Sequence, residues 1–139
     1  MAQAKPQARL GMQRPISPHL QIYRPLINMV ASILHRITGA ALYFGTLLLA
    51  WWLVAAAAGP EQFALINSFF ASPLGLLILV GYTWAFMLHL LGGIRHFIWD
   101  TVRGFELSTV NALCWSSLLG SFVLTAFVWL VVLRLKGLL

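Results

Sequence analysis

Three long apolar stretches constrain the fold of this chain more than any other feature of its sequence. Residues 37–58, 74–99 and 110–133 are each long enough to cross a hydrocarbon layer of about 30 Å, which takes roughly 20 apolar residues in a helix. The stretches are continuous and rich in Leu and Ala, without the apolar and polar alternation of a membrane β-strand. With 60% hydrophobic and 9% charged residues, the chain is far more apolar than a soluble domain. The sequence therefore predicts an all-α membrane protein with three transmembrane helices.

The basic residues lie at the ends of these stretches and predict the topology. Seven of the nine Lys and Arg residues would share one side of the membrane: Lys5, Arg9, Arg14, Arg24, Arg36, Arg95 and Arg103. The positive-inside rule then puts the N-terminus in the cytoplasm, although Arg134 and Lys136 run against it. Because the basic residues are not interleaved with exposed aromatic residues, the net charge of +6 predicts contact with membrane lipid and not with nucleic acid.

Proline positions divide the chain. Four of the six prolines fall in residues 1–28, which predicts a non-helical cytoplasmic arm followed by a transmembrane domain at 29–139. Pro25 suits the first turn of a helix that would run through Ser32 into the first span. An interfacial helix is expected at 63–70, and Pro73 is expected to start the second span.

The motif "HLLGGIRHFIWD", residues 89–100, carries the strongest candidate for chemistry. His89 is expected well inside the membrane, where an ionisable residue is costly and functional by default, and Gly92 and Gly93 leave space beside it. It could bond a neighbouring helix, relay protons, or offer a neutral imidazole to a haem iron. A relay would need an acidic partner at that depth, but no Asp or Glu lies within a span except Asp100, at the margin of the second one.

A haem would also need cations for its propionates and a second axial ligand. The cations expected at the cytoplasmic edge are His35, Arg36, Arg95 and His96. His19, His35 and His96 are all expected too close to the cytoplasmic side to be the second ligand. The sequence therefore predicts that a sister subunit supplies it.

The motif "SILHRITG", residues 32–39, places polar groups on one helix face. Ser32, His35, Arg36 and Gly39 fall at i, i+3, i+4 and i+7, which predicts a stripe facing the bundle. The Ser32 hydroxyl and the Arg36 guanidinium could bond the carbonyl group of a quinone. The alternative is that Ser32 caps the first helix and Arg36 reaches lipid phosphates. Cys114, the only cysteine, is expected to be a packing residue.

Two segments of the sequence together resemble a known family. "RPISPHLQIYRPLINMVASILHRITG" (14–39) and "HLLGGIRHFIWD" (89–100) resemble the cytochrome b large membrane-anchor subunit of succinate dehydrogenase, respiratory complex II. The first signature of that family ends in Ser-x-x-His-Arg-x-Ser/Thr, which Ser32, His35, Arg36 and Thr38 match. The second runs from His89 through Gly-x-Arg-His to Asp100. Many members have Asn where this chain has Gly92.

The resemblance implies a role for each matched residue. His89 would be an axial ligand of haem b shared with the small membrane-anchor subunit, Ser32 and Arg36 would belong to the ubiquinone pocket, and His35 would lie near a haem propionate. The flavoprotein subunit would oxidise succinate and the iron-sulfur subunit would pass electrons to quinone, so no residue here acts on succinate. The short segment before the first signature favours a bacterial inner membrane over a mitochondrial one. The alternative is a membrane scaffold without a redox role.

Overall fold

The computed structural model describes residues 22–138, and this part of the chain is built from helices without any strand. The helices are α1 (Ile27–Ala58), α2 (Pro60–Ala71), α3 (Pro73–Asp100) and α4 (Leu107–Leu135). α1, α3 and α4 are long and apolar enough to cross a membrane, which confirms the predicted fold of three transmembrane helices. Most of the predicted arm, residues 1–21, lies outside the described residues.

The start of α1 differs from the sequence-based expectation. Leu26 is the extended N-cap and the helix begins at Ile27, so the prediction that Pro25 opens the helix is wrong. The helix does continue through Ser32 into the apolar stretch. Leu26 occupies the N-cap position and no side chain caps this end of α1, so the capping alternative for Ser32, which lies inside the helix, is also wrong.

The ends of the short helix α2 follow from local sequence. Gly59 separates α1 from α2 with φ of 125°, a conformation that glycine adopts without a steric cost. The helix predicted at 63–70 is present and extends over Pro60–Ala71. Ser72 then caps α3 by accepting a hydrogen bond from the Gly75 backbone N–H at 3.1 Å, and Pro73 occupies the first turn as expected.

α3 packs between α1 and α4 and is the element that positions the candidate site. The buried positions of α4 are small or polar, and they recur every three or four residues: Cys114, Ser117, Ser121 and Thr125. The hydroxyl groups of the last three each donate to a carbonyl one turn earlier in α4. Small side chains with satisfied hydroxyls let α3 and α4 approach closely inside the membrane.

Candidate functional site: a histidine cluster between two membrane helices

Three histidine rings meet where α1 packs on α3. The rings of His35 and His89 are stacked, with centroids 4.0 Å apart and planes inclined by 6°. The His96 ring lies 5.1 Å from the His35 ring at 54°. His89 and His96 share one face of α3 because they are separated by two helical turns, and His35 of α1 contacts both. The structure therefore brings together three of the residues that the sequence predicted.

The hydrogen bonds of His89 define which ring nitrogen carries its proton. Its Nδ1 lies 3.1 Å from the backbone oxygen of His35 and 3.4 Å from Oγ1 of Thr38. A carbonyl oxygen can only accept, so Nδ1 must be the donor. The Thr38 hydroxyl already donates to the Leu34 carbonyl at 2.8 Å, which leaves its oxygen to accept as well. Nε2 of His89 therefore has a free lone pair, and it has no hydrogen-bond partner within residues 22–138.

The position of His35 corrects one sequence-based expectation. His35 was expected closer to the cytoplasmic side than His89, but the two rings are in van der Waals contact. The relative depth of the two rings depends on how α1 is offset along α3, which their separate sequence segments do not specify. Because the two ring planes are nearly parallel, the ring nitrogens of His35 and His89 do not point toward a common position between the rings. Over the described residues, no group of three or more His, Cys, Asp or Glu side chains could hold a metal ion.

Glycines allow the helices to approach at this cluster. An added Cβ at Gly39 would lie 3.1 Å from Cε1 of His89, and one at Gly92 would overlap Nδ1 of His35. An added Cβ at Gly93 would meet no atom within 4 Å in the part of the chain that is described. Gly39 and Gly92 thus serve the packing of α1 on α3, whereas Gly93 leaves an uncovered backbone patch one turn from His89.

Arg95 is placed differently from the other predicted cations. Its side chain is only 3% exposed, and Nη1 donates to Sγ of Cys114 at 3.3 Å. The guanidinium carbon also lies 5.2 Å from the centre of the Trp99 ring, within the range of a cation–π interaction. The guanidinium is therefore held between α3 and α4, whereas His96 is exposed at the surface of α3.

The residues of the predicted stripe on α1 lie partly in the contact with α3 and partly at the surface of the chain. His35 and Gly39 face α3, Ser32 is half-buried, and Arg36 is exposed. Within this chain, Arg36 therefore does not face α3 or α4, because neighbouring positions on a helix point about 100° apart. An exposed guanidinium one turn from a half-buried hydroxyl can still bind a ligand that approaches from outside this chain.

Sequence reasoning missed two residues that support the cluster. Thr38 is 2% exposed and touches Nδ1 of His89; its place in the first signature was the available signal. Cys114 was expected to be a packing residue, and it is fully buried. Its second role, as acceptor for Arg95, depends on the pairing of α3 with α4 and has no sequence signal of its own.

Comparison with known proteins relates this chain to a family. The succinate dehydrogenase/fumarate reductase transmembrane subunit family matches residues 11–128. The chain is 42% identical over 118 residues to the succinate dehydrogenase cytochrome b556 subunit of Paracoccus denitrificans, covering 85% of this chain and 91% of that protein. The cytochrome b556 subunit of Rickettsia bellii is 40% identical over 117 residues, 84% of this chain and 91% of its own.

A mitochondrial relative is also similar over a shorter region. The succinate dehydrogenase cytochrome b560 subunit of Sus scrofa is 39% identical over 100 residues, which cover 68% of this chain and 57% of that protein. The region of this chain that matches the family model includes α1, α2 and α3 and most of α4. The chain belongs to the succinate dehydrogenase/fumarate reductase transmembrane subunit family.

Proposed function

We propose that this chain binds haem b through His89 and forms part of a ubiquinone-reduction site as a membrane anchor of succinate dehydrogenase. Three membrane helices and bacterial relatives fit a bacterial inner membrane, with the N-terminus on the cytoplasmic side by the positive-inside rule. The partners would be the small membrane-anchor, iron-sulfur and flavoprotein subunits. One observation carries the proposal: His89 uses Nδ1 as a donor inside the chain, and its Nε2 remains available.

The surroundings of His89 suit a ligand of haem iron. Histidines that bind metals usually donate their other ring N–H to a carbonyl, which fixes the tautomer and the ring orientation. The contact of Nδ1 with the His35 carbonyl at 3.1 Å has this form. Gly93 adds a flat surface without a side chain, where a macrocycle has room. When bound, the haem would supply one-electron storage in a low-dielectric bundle.

The second axial ligand would come from the small membrane-anchor subunit. His35 is stacked face to face on His89 with nearly parallel rings, so these two residues would not hold one iron together. His96 belongs to the same cluster but lies two turns along α3 from His89, toward the C-terminal end of that helix. A shared haem also explains why His89 is only half-buried in this chain by itself.

Cations near the cluster would stabilise the haem propionates. We assign direct contacts to His35, His96 and Arg36, because these side chains lie at or near the open side of α1 and α3. Arg95 would contribute positive potential without direct contact, since its guanidinium is held by Cys114 and Trp99. Interactions of cationic donors with carboxylates are among the stronger hydrogen bonds of proteins.

Ser32 and Arg36 would bind the quinone head group. Reduction places negative charge on the quinone oxygens, and a fixed guanidinium with a hydroxyl donor stabilises that charge as it develops. Arg36 is exposed and Ser32 half-buried, so both can reach a head group bound between this chain and a partner. Electrons would arrive from succinate through the flavoprotein and iron-sulfur subunits.

The test is the reduced-minus-oxidised optical spectrum of the purified complex with His89→Ala. We expect the b-type haem signal to disappear while the other subunits remain bound. Leu90→Ala is the matched control, because Leu90 is the next residue on α3 and its side chain is 45% exposed. An unchanged haem spectrum in His89→Ala would refute the ligand assignment. A native complex without haem or quinone would favour the alternative of a membrane scaffold without a redox role.

A further inference from the structure

Four buried side-chain nitrogen atoms have no hydrogen-bond partner within residues 22–138, and two of the four belong to residues of different helices that line one cavity. These two are Nδ1 of His35 on α1 and Nε of Arg95 on α3. Arg95 is 97% buried, since its exposed fraction is 3%, and Nη1 is bonded to Cys114 while Nε is not. Buried polar atoms in proteins are almost always hydrogen-bonded to protein or to ordered water. Two such atoms so close to one site need an explanation.

Both residues line the same cavity. It lies between α1, α3 and α4 and has a volume of about 10 Å³, close to the smallest volume that accommodates one water molecule. Gly92, Cys114 and Ser117 form part of the same wall. A side chain at Gly92 would overlap Nδ1 of His35, so glycine is the residue that leaves this side of the nitrogen uncovered.

We propose that one ordered water molecule occupies this cavity and connects Arg95 to His35. The guanidinium is always protonated, so Nε–H can only donate to the water oxygen. The water then donates one hydrogen to Nδ1 of His35 and has a second hydrogen for Oγ of Ser117. That hydroxyl donates its own hydrogen to the Leu113 carbonyl at 2.7 Å and can accept in return. The water thus makes about three hydrogen bonds, which is typical of buried water.

The bridge fixes the tautomer of His35. Since Nδ1 accepts from the water, the ring proton of neutral His35 must lie on Nε2. His89 has the opposite arrangement, because its Nδ1 donates to the His35 carbonyl. The two stacked imidazoles therefore differ: His89 keeps a free lone pair on Nε2, and His35 presents an Nε2–H donor. Arg95 is a positioning residue that acts on His35 through the water.

This inference depends on the packing of the three helices and not on the proposed haem. It does deepen that proposal, because an Nε2–H donor on His35 is what an anionic propionate would accept from. Arg95 would then influence the haem environment although its own guanidinium points toward Cys114.

The direct test is a structure of the whole purified complex at a resolution that shows ordered water. We expect one density peak within hydrogen-bond distance of both Nδ1 of His35 and Nε of Arg95. No peak in a well-ordered cavity, or a direct partner for either nitrogen from another subunit, would overturn the proposal. A peak in a complex that lacks haem would support the proposed water and refute the proposed function. Haem bound to His89 without the peak would support the proposed function and refute the water.

A second measurement follows the tautomer. Nitrogen NMR of the complex with labelled histidine only in this chain should show His35 protonated on Nε2 and not on Nδ1. In Arg95→Met, which removes the donor and keeps an apolar side chain of similar length, we expect the fraction of His35 in this tautomer to fall. If the tautomer of His35 is the same in the parent and in Arg95→Met, Arg95 does not position the ring.

Discussion

Gly92→Ala should destabilise the purified complex, because the new methyl group would collide with the His35 ring. An ideal Cβ at Gly92 overlaps Nδ1 and lies 3.0 Å from Cε1 and 3.3 Å from Cγ of that ring. The ring cannot move toward His89, on which it is stacked at 4.0 Å. Overpacking of this kind costs about 1–3 kcal/mol.

Gly81→Ala is the matched control for this prediction. Gly81 is an exposed position of the same helix, and an added Cβ there meets no described atom within 4 Å. Both substitutions gain the same helix propensity, about 1 kcal/mol in favour of Ala. The difference in the free energy of unfolding between the two variants therefore measures the cost of the collision with the His35 ring.

The assay is denaturation of the complex in mixed micelles with increasing SDS, followed by circular dichroism. We expect the midpoint for Gly92→Ala to fall below that for Gly81→Ala by an amount equivalent to about 1–3 kcal/mol. Equal midpoints for the two variants would refute the reasoning, since His35 would then have room to move without loss of stability.

Three further predictions concern single side chains. Arg36→Ala should lower quinone reduction by about 10²–10³-fold and leave succinate oxidation with a soluble dye unchanged. The control is Arg134→Ala, at an exposed position near the C-terminal end of α4. Normal quinone reduction in Arg36→Ala would contradict the assignment. Cys114→Ala should lower the free energy of unfolding by about 1–3 kcal/mol, because a buried donor of Arg95 is left unpaired, whereas Cys114→Ser keeps an acceptor. Equal stability of the two variants in the SDS assay would contradict this prediction. Thr38→Val removes an acceptor from Nδ1 of His89 and should weaken haem binding by about 10–100-fold, measured as haem retained per complex; full retention would argue against the role of Thr38.

The glycines show how far the sequence can be interpreted without a structure. Gly92 and Gly93 are adjacent, and the sequence suggested for both only that they leave space beside His89. In the structure Gly92 is in contact with His35, whereas Gly93 lies open among the described residues. Adjacent helical positions point in directions about 100° apart, so the neighbouring helix decides which glycine is required for packing.

Arg95 makes the same point for charge. Its place near the end of α3 predicts a cation at the membrane edge, and an exposed one would be the ordinary expectation for arginine. In the structure, Arg95 is instead buried against Cys114 of α4. The sequence does not specify that α4 packs on this part of α3. Burial of this guanidinium became possible because α4 presents a polarisable sulfur and small hydroxyl side chains at the contact.

The sequence by itself determined the three membrane helices and the short helix α2, and it singled out His89 as a candidate for chemistry. These depend on properties that are local in the chain: apolar length, proline and glycine at helix ends, and the cost of an imidazole inside a membrane. Only the tertiary structure decided that His35 stacks on His89, that Arg36 is exposed, and that Arg95 and His35 line one cavity. Those outcomes depend on the rotation and axial offset of each helix against its neighbours, which side-chain packing sets and which no single stretch of sequence contains.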